Sequence, residues 1–378
     1  MLLETVLIVA FWVLIAIWPL VYVVYPVGLL AFARWRGTRP MEVDLPWPTV
    51  EILVAAHNEE GTIERCVRSC LAQSYPGGPL TVVVGLDGCT DGTADVLRRI
   101  EDPRLRVVAY ERQGKAATDN SLIAGCHAEV VATTSAGAEY KPGAIEALAR
   151  SFRSSRVGCA GGVFAPRRSQ ARSAAAEATY FSLEYRLMRA ESDLGILAKA
   201  SGTALMFRRS LWRPIPVTSD ADISLPCLIA GHGKLVTFIP DAVAIDDGPR
   251  DLQTVFRARR RMATQALANV PRHIVELAVA GYWGHATSLT LHKLLRWLAP
   301  VAFVACAIDA MALGAFGYRE YPWFVVATGV IAVVLMVAVS ILPGNLLSMA
   351  AGFVVSQIAF VAGAMDCLRG SGVTRWGR

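Results

Sequence analysis

Residues 2–33, LLETVLIVAFWVLIAIWPLVYVVYPVGLLAFA, carry one charge, Glu4. A helix needs about 20 predominantly apolar residues to cross a bilayer, so this stretch alone is long enough to do so. A secretory signal has an apolar core of only ~7–15 residues behind a basic start, and neither feature fits. Segments of the same kind return near the other end. LAPVAFVACAIDAMALGAFG (298–317), YPWFVVATGVIAVVLMVAVSIL (321–342) and LLSMAAGFVVSQIAFVAGAM (346–365) each approach spanning length. About four spans follow from the length rule. With 54% hydrophobic and 18% charged residues, the chain is too apolar for an ordinary water-soluble protein.

Residues 45–272 are mixed in polarity and form one water-facing domain. Arg34, Arg36 and Arg39 follow the first span directly, which puts that end, and the domain after it, on the cytoplasmic side by the positive-inside bias. Three more spans would carry Arg369, Arg375 and Arg378 outside, against the same bias. One of the three is then re-entrant, or the stretch 273–298 enters the bilayer. Trp283, His285, His292, Lys293, Arg296 and Trp297 suit a water–lipid boundary, so 273–297 reads as an interfacial helix. The expected organisation is a membrane helix over 1–34, a domain over 45–272, the interfacial region over 273–297 and membrane helices over 298–367.

Eight cysteines are scattered with no CxxC and no zinc-type spacing, which reads as reduced thiols. A net charge of +6 suits anionic lipid or phosphate ligands alike. No nucleic-acid motif and no internal repeat is present.

Within the domain, VEILVAA, LTVVVGL, RLRVVAY and AEVVATT are short apolar runs alternating with helical patterns, the signature of an α/β fold with a mostly parallel sheet. Ligands of such sheets bind at the carboxyl ends of the strands. Those ends carry His57, Asn58, Glu59 and Glu60, then Asp87, then Thr134 to Ala138. The dinucleotide-binding alternative fails because no GxGxxG follows the first strand.

HNEEGTI, GLDGCTDGT, RQGKAATDNSLIAG, and then a strand followed by KPGAI, together resemble the family 2 glycosyltransferases, nucleotide-sugar enzymes of GT-A fold: a mixed, mostly parallel sheet with flanking helices. The likeness runs over about residues 48–272. Its membrane-embedded branch includes cellulose, hyaluronan and chitin synthases and ceramide glucosyltransferases, with the same layout of spans around a cytoplasmic domain. The resemblance implies a donor site of His57, Glu59, Asp87, Lys115 and Asn120. It also implies that VTSDADISLP (217–226) matches a TED-type segment, with Thr218 and Asp220 kept and Ser219 in place of Glu. Asp220 would be the general base, with Asp222 the second choice and helix capping the alternative for either. KASGTALMFRR (199–209) resembles the acceptor loop, with Ser201, Gly202 and Thr203 near the reacting hydroxyl.

Two departures matter. Where the family usually has Asp-x-Asp holding Mg2+ or Mn2+ on the donor pyrophosphate, this chain reads Ser135-Ala136-Gly137. A hydroxyl and a bare backbone do not replace carboxylates for a hard cation. Glu139, two residues on, reads as serving the next helix start. In FRARRRMATQAL (256–267), at the position where processive synthases carry Gln-x-x-Arg-Trp, stand Ala258, Arg261 and Met262. Arg257, Arg259, Arg260 and Arg261 could bind a diphosphate bidentately or hold anionic lipid; the family match favours the diphosphate for Arg261.

The expectation is therefore a multi-pass protein of the inner (cytoplasmic) membrane, moving a sugar from a nucleotide-sugar to a lipid-linked or glycan acceptor. It would be inverting, non-processive and free of a metal requirement, with membrane lipids and other assembly subunits as partners and no nucleic acid. The competing reading is an inactive relative serving as a scaffold subunit, and a third is a channel-forming processive synthase.

Overall fold

Four Val-rich runs with turn residues at their ends give four neighbouring parallel strands. A computed structural model describes residues 1–38, 42–167, 172–216, 219–247, 251–341 and 346–370; of 172–181, 331–341 and 346–350 it describes the backbone alone. Arg39, Thr218, Arg375 and Arg378 lie outside the described residues. The chain opens with α1 (Leu2–Pro19) and α2 (Tyr25–Arg36), continuous through a π turn at Leu20–Val24. There follow β1 (Val50–Ala56), α3 (Ile63–Leu71), β2 (Thr81–Asp87), α4 (Thr93–Arg98), β3 (Leu105–Tyr110), α5 (Lys115–Ala124) and β4 (Val130–Ser135). Next come β5 (Glu139–Tyr140), α6 (Ala144–Ser151), β6 (Val157–Pro166), α7 (Arg172–Leu194), β7 (Leu205–Arg208), α8 (Ala221–Gly231) and β8 (Leu235–Asp246). The C-terminal part holds α9 (Leu252–Val279), α10 (Trp283–Ser288), a second π turn at Leu289–Leu294, α11 (Leu295–Ala315), α12 (Glu320–Ile341) and α13 (Leu346–Leu368).

The eight strands form one sheet in the order β3-β2-β1-β4-β7-β6-β8-β5. β3, β2, β1 and β4 are parallel, β7 is antiparallel to both β4 and β6, and β6 is parallel to β8. Every residue of β1 is buried, because the sheet is covered on both faces: Ile52, Val54 and Ala56 enter one core, Leu53 and Ala55 the other. α3 shows the matching helical logic. Ile63, Cys66, Val67, Cys70 and Leu71 fall on one stripe and are all buried, so both cysteines are core residues. All eight cysteines are free thiols.

The core that contains Leu53 and Ala55 continues through Ala263, Ala266 and Val270 of α9 to Leu289, Trp297 and Phe360, so the sheet and the C-terminal helices are packed together. Asp251 starts α9 by accepting the Thr254 N–H at 2.7 Å. Among the described residues, three helical segments are long and apolar enough to cross a bilayer: Leu2–Arg36, Trp283–Ala315 and Ala351–Leu368. The chain is thus built as a membrane protein. The stretch 273–297, expected at the boundary, divides: its first part completes α9, and from Trp283 it is continuous with α11. A run of 15 residues that looks interfacial by composition joins the following apolar residues in one 33-residue helix; its polar side chains turn inward, with His285, His292 and Lys293 buried.

Candidate active site

The loops at the carboxyl ends of β1 and β2 interlock. Asn58, in the left-handed region at φ 55°, accepts the Thr90 N–H at 2.8 Å through Oδ1. The Thr93 hydroxyl accepts the Glu59 N–H at 2.8 Å, and Glu60 accepts the Gly92 N–H at the same distance. Glu59 also accepts from the Thr62 hydroxyl at 2.8 Å, and His57 Nδ1 lies 2.7 Å from the Asp87 carbonyl oxygen. HNEE and CTDGT therefore brace each other, and Asp91 serves the start of α4 by accepting the Thr93 N–H at 3.1 Å.

Asp87 is fully buried and engaged by its own chain. Its carboxylate accepts the Gln113 N–H at 2.7 Å and the Gly114 N–H at 3.1 Å, and pairs with Arg112. Burial alone would raise this carboxyl; the two N–H donors and the Arg112 charge outweigh it and hold it below the ordinary aspartate value. The result is a shaped RQGK loop. Gly88 must be glycine here, since it has φ 57° and a side chain would start 2.8 Å from Arg112 Cβ.

Beside this loop lies a cavity of about 600 Å³. Of the residues singled out from the sequence, Lys115, Asn120, Ser135, Ser201, Gly202, Thr203, Asp220 and Arg261 line it. His57, Glu59, Asp87 and Gly137 do not. Lys115 reaches Asp119 at 2.7 Å. Asn120 is clamped to the Ile215 backbone by two hydrogen bonds, donating at 2.8 Å and accepting at 3.1 Å. Ser201 and Thr203 hydroxyls are 3.0 Å apart, and Thr134 ties the loop to β4 by donating to the Thr203 carbonyl at 2.8 Å.

Asp220 occupies the N-cap position of α8, yet its side chain makes no cap hydrogen bond. The carboxyl is pushed up to about 7 by burial and by the nearby Asp222, with Arg261 pulling the other way. Ser219, standing where the family has Glu, donates to Asn269 of α9 at 2.9 Å. The four arginines of α9 separate. Arg260 is paired with Asp366 at 2.6 Å, Arg257 is exposed, and Arg259 and Arg261 line the cavity.

The residues at Ser135–Gly137 do not fit the family's divalent metal. The Ser135 carbonyl accepts from Cys66 Sγ at 3.4 Å. A side chain at Gly137 would start 2.8 Å from Asp246 Oδ1. Among the described residues no three His, Cys, Asp or Glu side chains are grouped to hold a metal. Asp246 itself is raised by burial and by Asp247 and Glu59, so it shares its surroundings with like charge. Asp246 and Glu184 stand in no motif: the first ends a strand over 100 residues from β4, and Glu184 meets Lys199 and Lys293 only through tertiary packing.

A family model described as Glycosyl transferase family 2 matches residues 51–213. A β-monoglucosyldiacylglycerol synthase of Nostoc sp. is 26% identical over 216 residues, 52% of this chain and 44% of that protein. An N-acetylglucosaminyltransferase of Azorhizobium caulinodans is 27% identical over 238 residues, 57% of this chain and 59% of that protein. The chain thus spans about half the length of these curated relatives. A mannosyltransferase of Pyrobaculum calidifontis, solved with GDP-Man and Mn2+, superposes with a TM-score of 0.71 at 23% identity, covering 95% of this chain and 99% of that one. Sheet order, motif positions and these likenesses agree: residues 51–213 are a family 2 glycosyltransferase domain on a GT-A fold.

Proposed function

We propose that the protein is a membrane glycosyltransferase that moves a sugar from a nucleotide-sugar to a lipid-linked or glycan acceptor, inverting the anomeric centre, one or a few sugars at a time and without a required metal. The observation that carries this reading is Asp220: a carboxylate at a helix start, released from capping, facing the cavity with a proton affinity near neutral. A general base works best with such a value. In the step, the acceptor oxygen bonds to the anomeric carbon and its proton passes to Asp220. The bond from that carbon to the nucleoside diphosphate breaks, and the electron pair leaves with the diphosphate. Arg261 makes no ion pair or hydrogen bond among the described residues, so its guanidinium is available to a diphosphate.

Met262 lines the cavity where a processive enzyme would offer a tryptophan for stacking. Short products are expected, and recovery of a high-molecular-weight glycan from the purified protein would overturn that part. Ser135 and Gly137 favour one other reading, a scaffold subunit of a polysaccharide or glycolipid system that binds nucleotide without turnover. A panel of nucleotide-sugars, assayed for transfer and binding with and without EDTA, separates the two. The proposed location is the inner membrane, with the catalytic domain on the cytoplasmic side.

A further inference from the structure

The first apolar segment, Leu2–Arg36, keeps an apolar outer face to its end. Val24, Val27, Ala31 and Trp35 follow one another at helical spacing, so they form one stripe. All are exposed, Val27 to 62% and Trp35 to 80%. The opposite side packs on the catalytic domain, where Leu29 is buried with Leu187 and Ala190 of α7. The stripe stops at Trp35, between Arg34 and Arg36, a meeting of aromatic and basic side chains that suits a water–lipid boundary.

At that level α2, α7 and β8 enclose a second cavity, of about 560 Å³. Leu30, Phe238 and Pro240 give it apolar surface, and Arg34, Arg186 and Arg189 line it as well. Val27, Leu30 and Arg34 again lie at helical spacing, so the apolar face of α2 runs into the cavity without a break. Tyr185, stacked on Phe238 with ring centres 5.4 Å apart, lines both this cavity and the catalytic one. Arg34 and Arg186 make no ion pair or hydrogen bond among the described residues, and Arg189 meets Asp193 at 3.8 Å. The other described acids of α7 are buried and taken up elsewhere. Glu184 accepts from Lys199 at 2.6 Å and Arg296 at 3.0 Å, and Glu191 from Tyr25 at 2.6 Å and Ser288 at 2.8 Å. Three guanidiniums against one carboxylate, Asp193, leave the cavity net positive.

We infer that this cavity binds an anionic phospholipid of the leaflet on the domain's side, with its phosphate held by Arg34 and Arg186, Arg189 beside them, and its acyl chains along the Val24–Trp35 stripe. The lipid takes no part in sugar transfer, and the site stands whether or not the transferase reading does. A guanidinium holds phosphate oxygens bidentately, and the end of a membrane helix is where such an anion is at hand. A zwitterionic choline headgroup would bring its own cation among the three guanidiniums. A free phosphate would make no use of the apolar stripe that leads to them.

The test is lipid binding to the full chain in a neutral detergent, read by native mass spectrometry with no nucleotide-sugar present. The probes are phosphatidylglycerol, phosphatidylcholine with the same acyl chains, and glycerophosphoglycerol, the soluble headgroup. Phosphatidylglycerol is expected to bind about ten-fold or more tightly than either of the others. Arg34→Gln and Arg186→Gln each weaken that binding about five-fold, the effect of one basic side chain at a lipid surface, and together they weaken it about ten-fold or more. The control pair Arg99→Gln with Arg106→Gln, at exposed positions after α4 and on β3, leaves it unchanged. Equal affinity for phosphatidylcholine overturns the site, as does an equal loss in the control pair, which would reduce the effect to overall charge. Glycerophosphoglycerol binding as tightly as the lipid overturns the bilayer source. Should a variant not fold, the three probes on wild type still decide. Because no sugar is transferred in this measurement, its outcome is independent of the transferase reading.

Discussion

Arg260 of α9 donates two hydrogen bonds, of 2.6 and 2.7 Å, to the Asp366 carboxylate of α13. The pair ties the end of the catalytic domain to the last helix, where Gly363 lets the two helices close: a side chain there would start 2.8 Å from the Arg260 carbonyl oxygen. Its neighbour Arg261 faces the cavity instead. Arg260→Gln should lower stability by about 1 kcal/mol or less, since Arg260 is half exposed and solvent screens the pair, and should leave sugar transfer near wild type. Arg261→Gln should leave stability unchanged and weaken donor binding. Thermal melts and transfer rates of both variants check this, and equal losses of transfer would contradict the separation.

Asp220 predicts opposite pH trends for rate and stability. As a base it must lose its proton, so transfer should rise with pH and level off above about 7. The folded state holds that proton more tightly than an unfolded chain, whose aspartate titrates near 3.8. Stability contributed at this site is therefore present below about pH 4 and lost as pH rises towards about 7. Asp220→Asn should raise stability at pH 8 by an amount on the order of a few kcal/mol, seen as a higher melting temperature, with no gain at about pH 4. Melts across that range read the difference directly.

Chelation should leave transfer intact. Ser135 and Gly137 offer no carboxylate, and a side chain at 137 would meet Asp246 at 2.8 Å. Gly137→Asp would set another carboxylate beside Asp246, already raised by burial and by Asp247 and Glu59, and should lower stability through like charge without creating metal dependence. Abolition by EDTA with rescue by Mn2+ would point to another carboxylate set.

Asp87→Ala should weaken donor binding through the loop it organises. Removing the carboxylate strands the N–H groups of Gln113 and Gly114 and the charge of Arg112. A buried donor left unsatisfied costs about 1–3 kcal/mol, so lower melting temperature should accompany lost affinity. Lost affinity with an unchanged melt would instead indicate direct contact with the nucleotide.

What could be read from sequence was whatever local pattern controls. The runs at 50–56, 81–87, 105–110 and 130–135 are strands because continuous apolar β-formers bounded by turns have few alternatives in a two-sided sheet. Lys115, Asn120, Asp220 and the Ser201–Thr203 loop could be named from their motifs, and they line one cavity. The partners of those residues were not legible. That Asn120 clamps Ile215, that Asp87 is consumed by the loop after β3, or that Lys293 reaches Glu184 over 109 positions depends on long-range packing. The polar run at 283–297 misled by composition: histidine and lysine pointing into a buried network look, in sequence, like residues at a lipid boundary.

The central claim is that Asp220 removes the acceptor proton. The most direct measurement is the sugar-transfer rate of Asp220→Asn beside wild type, with nucleotide-sugar affinity determined on the same samples. The amide keeps size and hydrogen bonding and loses proton acceptance, so the rate should fall about 100- to 10,000-fold while affinity stays within about two-fold, since the side chain's hydrogen-bonding capacity is kept. An unchanged rate would contradict the account.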